Sequence, residues 1–169
     1  NKLEDFNDFT NTDPAFRANL EISIKQGGYS SYQNEYPFSM VSKKGNILSP
    51  IFSLTNVNSD KNFIFIKNII EEPVSNKFKA YLINYQTKKI EETFELKTNF
   101  TNCIELRKEI IRPEIFLITK EYMGVPMFVS VKNNFISFEH THPPFEYILN
   151  KKYFSKLSDL KKEFNEIIG

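Results

Sequence analysis

The sequence predicts a single α+β domain over residues 1–169, in which helices cover one face of a twisted, mainly antiparallel sheet of about seven to eight strands. Apolar and polar residues alternate through most of the chain, which is the pattern of half-buried strands. The alternation gives way to helical spacing near the N-terminus, in mid-chain at 102–111 and at the C-terminus at 153–168. No internal repeat and no Pro/Gly/Ser-rich linker interrupts the chain, so a second domain is not expected.

The first elements are predicted to be a short helix and one strand. Apolar residues recur at helical spacing near the N-terminus: Leu3, Phe6 and Phe9. Pro14 suits the first turn of a helix. Alternating apolar residues then indicate a half-buried strand: Leu20, Ile22 and Ile24. The tract from Tyr29 to Tyr36 is polar and aromatic, and it is predicted to be an exposed loop that is available for binding.

Five strands are predicted next, at 38–42, 47–54, 62–70, 78–85 and 90–96. The first two form a hairpin around a Lys-Lys-Gly-Asn turn, and Pro50 argues for an edge position or a bulge in the second strand. In the fifth strand Glu91, Thr93 and Glu95 share one side, while most residues on the other side are apolar. One face of the sheet is therefore expected to be buried and the other exposed to solvent.

Residues 102–111 are predicted to form a helix in mid-chain. Four residues fall at helical intervals: Ile104, Arg107, Lys108 and Ile111. Thr101 or Asn102 can cap the first turn, and Pro113 stops the helix. Cys103 would then lie near a helix N-terminus, where the pKa of a thiol can be lowered. A buried structural role is expected for it instead, because no His lies nearby in sequence and free Cys is usually buried.

Three more strands and a terminal helix complete the predicted fold. The strands are expected at 115–121, 127–132 and 135–140, with turns at 123–126 and at Asn133-Asn134, a pair that tolerates positive φ. The helix over 153–168 carries one apolar stripe: Tyr153, Leu157, Leu160, Phe164, Ile167 and Ile168. Its opposite face is charged, so this helix is expected to pack on the sheet through the stripe.

Composition argues against several classes of function. The chain has 22 Lys and Arg against 21 Asp and Glu, so no net field attracts nucleic acid and a general nucleic-acid binder is not expected. Five Gly and no dinucleotide or Walker pattern argue against nucleotide binding. No stretch approaches about 18 apolar residues and no apolar leader is visible, so we expect a cytoplasmic protein without a membrane span.

Both histidines, His140 and His142, lie in one short segment. Residues two apart on a strand project from the same face, so an extended segment would aim both imidazoles at one point, as in half of a zinc site. A catalytic zinc needs about three protein ligands, and the third would be Glu146, Glu139, Cys103 or a distant carboxylate. A metal-binding protein or metal-dependent hydrolase therefore stays open, beside a structural role for His140 as a hydrogen-bonded residue at the edge of the core.

Partner binding without catalysis is the function that the sequence favours, because the predicted domain is small and carries no cofactor motif. Toxin-neutralising immunity or antitoxin proteins are one such class, and a toxin domain would then be the protein partner. The predicted contact residues are Tyr29, Tyr32, Tyr36, Phe145, Glu146 and Tyr147. No cofactor is expected for this function, whereas zinc is expected for the metal alternative. A carrier of an apolar ligand, enclosed by an aromatic-lined sheet, is the third alternative.

Overall fold

The computed structural model describes residues 15–37, 47–68, 74–121, 124–140 and 151–169. Over these residues the chain forms ten strands in three antiparallel sheets, followed by one C-terminal α-helix. The elements are β1 (Ala15–Ser23), β2 (Tyr29–Pro37), β3 (Leu48–Pro50), β4 (Lys61–Asn68), β5 (Lys77–Asn84), β6 (Lys89–Lys97), β7 (Phe100–Leu106), β8 (Ile115–Thr119), β9 (Val125–Lys132), β10 (Phe135–His140) and α1 (Lys151–Ile168). Short 3₁₀ turns occupy Phe52–Leu54 and Lys108–Ile110.

Strands dominate the described chain, so the predicted α+β class with a mid-chain helix is wrong. The predicted helix at 102–111 is strand β7 followed by one 3₁₀ turn. Asn102, Ile104 and Leu106 are buried and the residues between them are exposed, which is a period of two. Leu106 explains the difference, because a helix would turn it away from Ile104, whereas a strand places both residues on the core side.

The predictions for residues 1–54 have mixed outcomes. The predicted N-terminal helix falls mostly on residues 1–14, outside the described residues, and the chain from Ala15 onward is strand β1. The predicted loop at 29–36 is wrong, since these residues form strand β2, which pairs along its whole length with β1. The predicted strand at 38–42 lies outside the described residues. The predicted strand at 47–54 is shorter, because only β3 is extended and a 3₁₀ turn follows it.

Two four-stranded sheets pack face to face as a β-sandwich. Sheet I has the strand order β10-β9-β4-β7, and sheet II has the order β3-β8-β5-β6. Alternate residues of both sheets enter one apolar core, whose largest fully buried members are Ile51, Ile64, Ile66, Leu82, Ile115, Leu117 and Phe128. Burying each such side chain contributes roughly 1.5–3 kcal/mol, so this interlayer core is the main source of stability.

The chain crosses from sheet II to sheet I at a corner held by buried polar side chains. Asn102 Oδ1 accepts a hydrogen bond from Lys97 N at 2.8 Å, and Nδ2 donates to Lys97 O at 2.8 Å and to Ile66 O at 3.1 Å. Thr98, also fully buried, accepts from Asn76 N at 2.8 Å. These bonds satisfy backbone groups that neither sheet pairs, so the corner can be buried without a large desolvation cost.

Helix α1 covers the outer face of sheet II. Phe164 is fully buried, and its ring centroid lies 6.0 Å from that of Tyr85 and 5.7 Å from that of Phe116. Ile83 and Ile118 of the two central strands complete this second core. The predicted C-terminal helix is therefore confirmed, and the second half of its apolar stripe packs on the sheet through Leu160, Phe164, Ile167 and Ile168. Among the described residues, no helix has both the length and the apolar character needed to cross a membrane.

Replacing Phe164 with Ala should lower the free energy of unfolding by about 3–5 kcal/mol, because it leaves a cavity between α1 and sheet II. Lys162→Ala, on the exposed side of the same helix, should change it by less than about 0.5 kcal/mol. Urea unfolding followed by circular dichroism measures both values. Equal effects of the two substitutions would contradict the docking of α1 through Phe164.

Candidate functional site

Two hairpins of the protein touch at their ends. The β1–β2 hairpin closes through Ile24 N, which donates to Gly28 O at 2.8 Å, and the β9–β10 hairpin turns at Asn133-Asn134. Asn133 has a φ of 52°, the left-handed conformation that suits a two-residue turn. A Cβ on Gly28 would lie 2.4 Å from Asn134 O, so only glycine allows the hairpins to approach this closely.

The residue after each contact point is an exposed aromatic. Tyr29 follows Gly28 and is 62% exposed, and Phe135 follows Asn134 and is 78% exposed. These are the two largest exposures among the large apolar side chains that the structure describes. We name the pair Tyr29 and Phe135 the aromatic tip. Two large apolar side chains exposed to water on two touching hairpins are typical of a binding surface.

Charged residues lie in and beside the two turns that carry the aromatic tip. Lys25 lies in the β1–β2 turn and Lys132 pairs with Phe135 across the β9–β10 turn, and both are exposed. Asp60 uses Oδ2 to accept a hydrogen bond from Asn133 N at 2.8 Å, so this carboxylate is engaged by the turn itself. The rim is therefore polar around an apolar centre, which is the usual anatomy of an interface.

A buried polar network fixes the segment that carries Asp60. Ser130 Oγ donates to Asn62 Oδ1 at 2.5 Å and accepts from Asn56 N at 3.0 Å. Asn62 Nδ2 returns a bond to Asn56 O at 3.1 Å. Asp60 N donates to Val131 O at 2.9 Å. Because every member is bonded, the β9–β10 turn has a rigid support, and the tip is preorganised.

The sequence-predicted contact residues are only partly brought together. Tyr29 belongs to the aromatic tip, at the start of β2. Tyr32 and Tyr36 lie further along β2, opposite Leu20 and Phe16 in the backbone pairing, in a strand and not in a loop. The predicted contact residues of the segment after the histidines lie outside the described residues: Phe145, Glu146 and Tyr147.

Phe135 is the residue that sequence reasoning missed. It shares its strand side with Ser137 and Glu139, and all three are exposed, while Ile136 and Phe138 are half-buried. An aromatic residue on an otherwise polar side of a strand was the available signal. The contact with Gly28 could not be predicted, because it joins segments that are far apart in sequence.

His140 is the last residue of β10 and is half-buried. Its proposed metal partners His142 and Glu146 lie outside the described residues, and Glu139 is on the opposite, exposed side of the strand. Cys103 shares a row of sheet I with His140, through Met127 and Phe65, but three strand spacings, about 14 Å, separate them. The described residues contain no group of three or more His, Cys, Asp or Glu that could hold a metal ion.

Cys103 is exposed on β7, which corrects the prediction of a buried cysteine at a helix N-terminus. Desolvation of the sulfur, and to a smaller extent the charge of Glu105, raises the pKa of the Cys103 thiol. A raised pKa keeps the thiol protonated at neutral pH, and a protonated thiol is a poor nucleophile. Neither its chemistry nor its distance from His140 supports a Cys-His catalytic pair.

A second concave surface lies between β5 and the end of α1. This cleft has a volume of about 490 Å³, and its lining includes Lys77, Tyr81, Glu95 and Lys120. Lys77 Nζ lies 2.8 Å from Glu95 Oε1, and Lys120 Nζ donates to Gly169 O at 2.8 Å. Because these charged groups bond to the protein itself, the cleft is a weaker candidate than the aromatic tip.

No protein-family model, curated protein sequence or solved structure matches this chain. No residue role is therefore carried over from a relative, and the aromatic tip is identified from exposure and packing alone.

Alkylation of Cys103 by iodoacetamide should be slow at neutral pH, with a rate still rising above the ordinary thiol pKa of about 8.5. Glu105→Gln should raise the rate at neutral pH, since losing the negative charge lowers the thiol pKa. Unfolding in urea should raise it further, because desolvation is the larger cause. Mass spectrometry follows the reaction, and a rate that levels off below neutral pH would contradict the raised pKa.

Gly28→Ala should separate the β1–β2 hairpin from the β9–β10 turn, because the added Cβ meets Asn134 O. Amide hydrogen exchange should become faster in both hairpins and stay unchanged in β5 and β8. Ser31→Ala, at an exposed position on the adjoining strand β2, is the matched control and should leave exchange unchanged. Wild-type protection in the Gly28→Ala variant would show that the hairpins do not depend on this contact.

Proposed function

We propose that this protein is a non-enzymatic partner-binding module and that the aromatic tip is its contact surface. The observation that carries the proposal is that Tyr29 and Phe135, the two most exposed aromatic residues among the side chains the structure describes, each follow a residue of the contact between the two hairpins. Each lies in water in the free protein, and burying one against a partner contributes roughly 1.5–3 kcal/mol.

The backbone beneath the aromatic tip is rigid, so little conformational entropy is lost when the tip binds a partner. Tyr29 is held by the paired β1–β2 hairpin, and Phe135 by a two-residue turn that Asp60 anchors. Side chains with two χ angles on a rigid backbone give up little entropy when they are buried. The two lysines on the rim, Lys25 and Lys132, add positive charge that favours an acidic surface on the partner.

The described residues give the other functions less support. Cys103 and His140 stand about 14 Å apart, so this thiol and this imidazole cannot act as a nucleophile–base pair. The interlayer space is filled by core side chains of both sheets, which offers no support for an apolar carrier. The zinc site remains a prediction from the sequence, with the ligands His140, His142 and Glu146. A toxin domain as the partner also remains a prediction from the sequence.

Substitution at the tip tests the proposal. Benzoylphenylalanine in place of Phe135 should photocross-link one protein of the source cell extract, which mass spectrometry identifies. Tyr29→Ala and Phe135→Ala should then each weaken the binding of that purified partner at least about tenfold, as expected for central contact residues. Isothermal titration calorimetry measures the dissociation constants.

Phe100 supplies the matched control, because it is 54% exposed and lies at the opposite edge of sheet I. Phe100→Ala should change the affinity by less than about twofold. Benzoylphenylalanine at Phe100 should not capture the same partner. Equal effects of Phe100→Ala and Phe135→Ala, with the thermal stability unchanged, would overturn the assignment of the tip.

A further inference from the structure

The edge strands of the two large sheets differ in how they resist pairing with another chain. Strand β3 has three residues and ends in Pro50, which cannot donate to a neighbouring strand. Strand β6 carries five charged residues, and Glu91 forms a bulge where the register with β5 shifts. Strand β10 has β2 beside it and Gly28 packed against the turn before it. Edge-to-edge association is blocked by each of these features: a short strand, a proline, charged side chains, a bulge, and a neighbouring segment that covers the edge.

Among the described residues, strand β7 has no proline, no bulge and no run of charges, and no strand pairs with it on the side away from β4, although it contacts β6 of the other sheet. It runs for seven residues without proline or glycine, and it pairs with β4 in a continuous register. Glu105 is its one charged residue. Phe100, at its first position, is 54% exposed. A regular, nearly uncharged edge strand with an exposed aromatic residue is a template for pairing with another strand.

We infer that β7 pairs antiparallel with β7 of a second copy of this chain, about a twofold axis at Cys103. Cys103 is the middle residue of the strand Phe100–Leu106. A twofold axis there is the one symmetric register in which all seven residues of each strand find a partner. Sheet I then continues across the interface as an eight-stranded sheet.

The side chains fit this register. Phe100 lies opposite Leu106 of the second copy and loses contact with water. Thr101 lies opposite Glu105 of the second copy, so the two glutamates do not face each other. At the axis each Cys103 faces its equivalent, and the thiol is small and uncharged at neutral pH. An axis at Glu105 would instead place like charges directly opposite and leave most of each strand unpaired.

This interface is independent of the proposed partner-binding surface. Sheet I ends in β10 at one edge and in β7 at the other, so the aromatic tip and Cys103 lie on opposite sides of the sheet. A dimer through β7 leaves both tips accessible at its two outer edges. Two linked copies of one binding surface raise the avidity for a repeated or clustered partner.

Sedimentation velocity under reducing conditions tests the inference on the full chain, over a concentration series that extends to the millimolar range. The wild-type protein should show a monomer–dimer equilibrium, and Cys103→Ser should retain it. Cys103→Lys should weaken dimerisation at least about fivefold, because it places two ammonium groups opposite each other. Thermal unfolding of each variant confirms that the exposed substitution leaves the monomer folded.

Two substitutions at Thr101 test the register. Thr101→Glu should weaken the dimer, since each new carboxylate faces Glu105 of the second copy, whereas Thr101→Lys should retain or strengthen it. Lys67 on β4 pairs with Thr101 within the monomer, so effects on folding should have the opposite order. A wild-type protein that stays monomeric, a Cys103→Lys dimer of unchanged affinity, or the reverse order at Thr101 would each overturn the inference.

Discussion

The burial of sheet II on both faces is the constraint on which the rest of the structure depends. On its central strands, Leu82 and Leu117 enter the core shared with sheet I, while the adjacent Ile83 and Ile118 pack under helix α1. All four are 0% exposed. Because both faces are apolar, alternation alone does not select the register of these strands. Polar residues at the strand ends select the register. Thr119 Oγ1 accepts a hydrogen bond from Ile47 N, and Asn84 Oδ1 accepts one from Gln86 N in the turn after β5.

With sheet II enclosed, the surfaces available for recognition concentrate on sheet I. Its edge at β10 leads into the aromatic tip, and at its other edge β7 is a regular strand that no other described strand pairs on its outer side. The two surfaces would bind through different interactions. The tip offers desolvation of two aromatic rings, and the β7 edge offers main-chain hydrogen bonds with side-chain register. A sheet with a different surface at each edge can associate with itself and hold a partner at the same time.

Polar groups inside this protein serve the fold. Asn102 joins the two sheets at the corner, Asn62 and Ser130 hold the segment beneath the tip, and each is buried and hydrogen-bonded. Satisfied networks of this kind specify one arrangement of strands, since any other arrangement leaves buried polar groups unpaired. The networks also hold the surface turn that precedes Phe135, because Asp60 Oδ2 accepts a hydrogen bond from Asn133 N in that turn.

Local pattern determined much of this protein from the sequence alone: the alternation of β5, β6 and β10, the two-residue turn at Asn133-Asn134, and the apolar stripe of helix α1. These features depend on neighbours within a few residues, and such neighbours are visible in the sequence. The tertiary structure decided the rest. The sequence predicts a helix at strand β7, because its period of two becomes clear only when Ile104 and Leu106 both enter the core shared with sheet II. The aromatic tip and the separation of Cys103 from His140 depend on strand order, which long-range packing sets and local sequence does not encode.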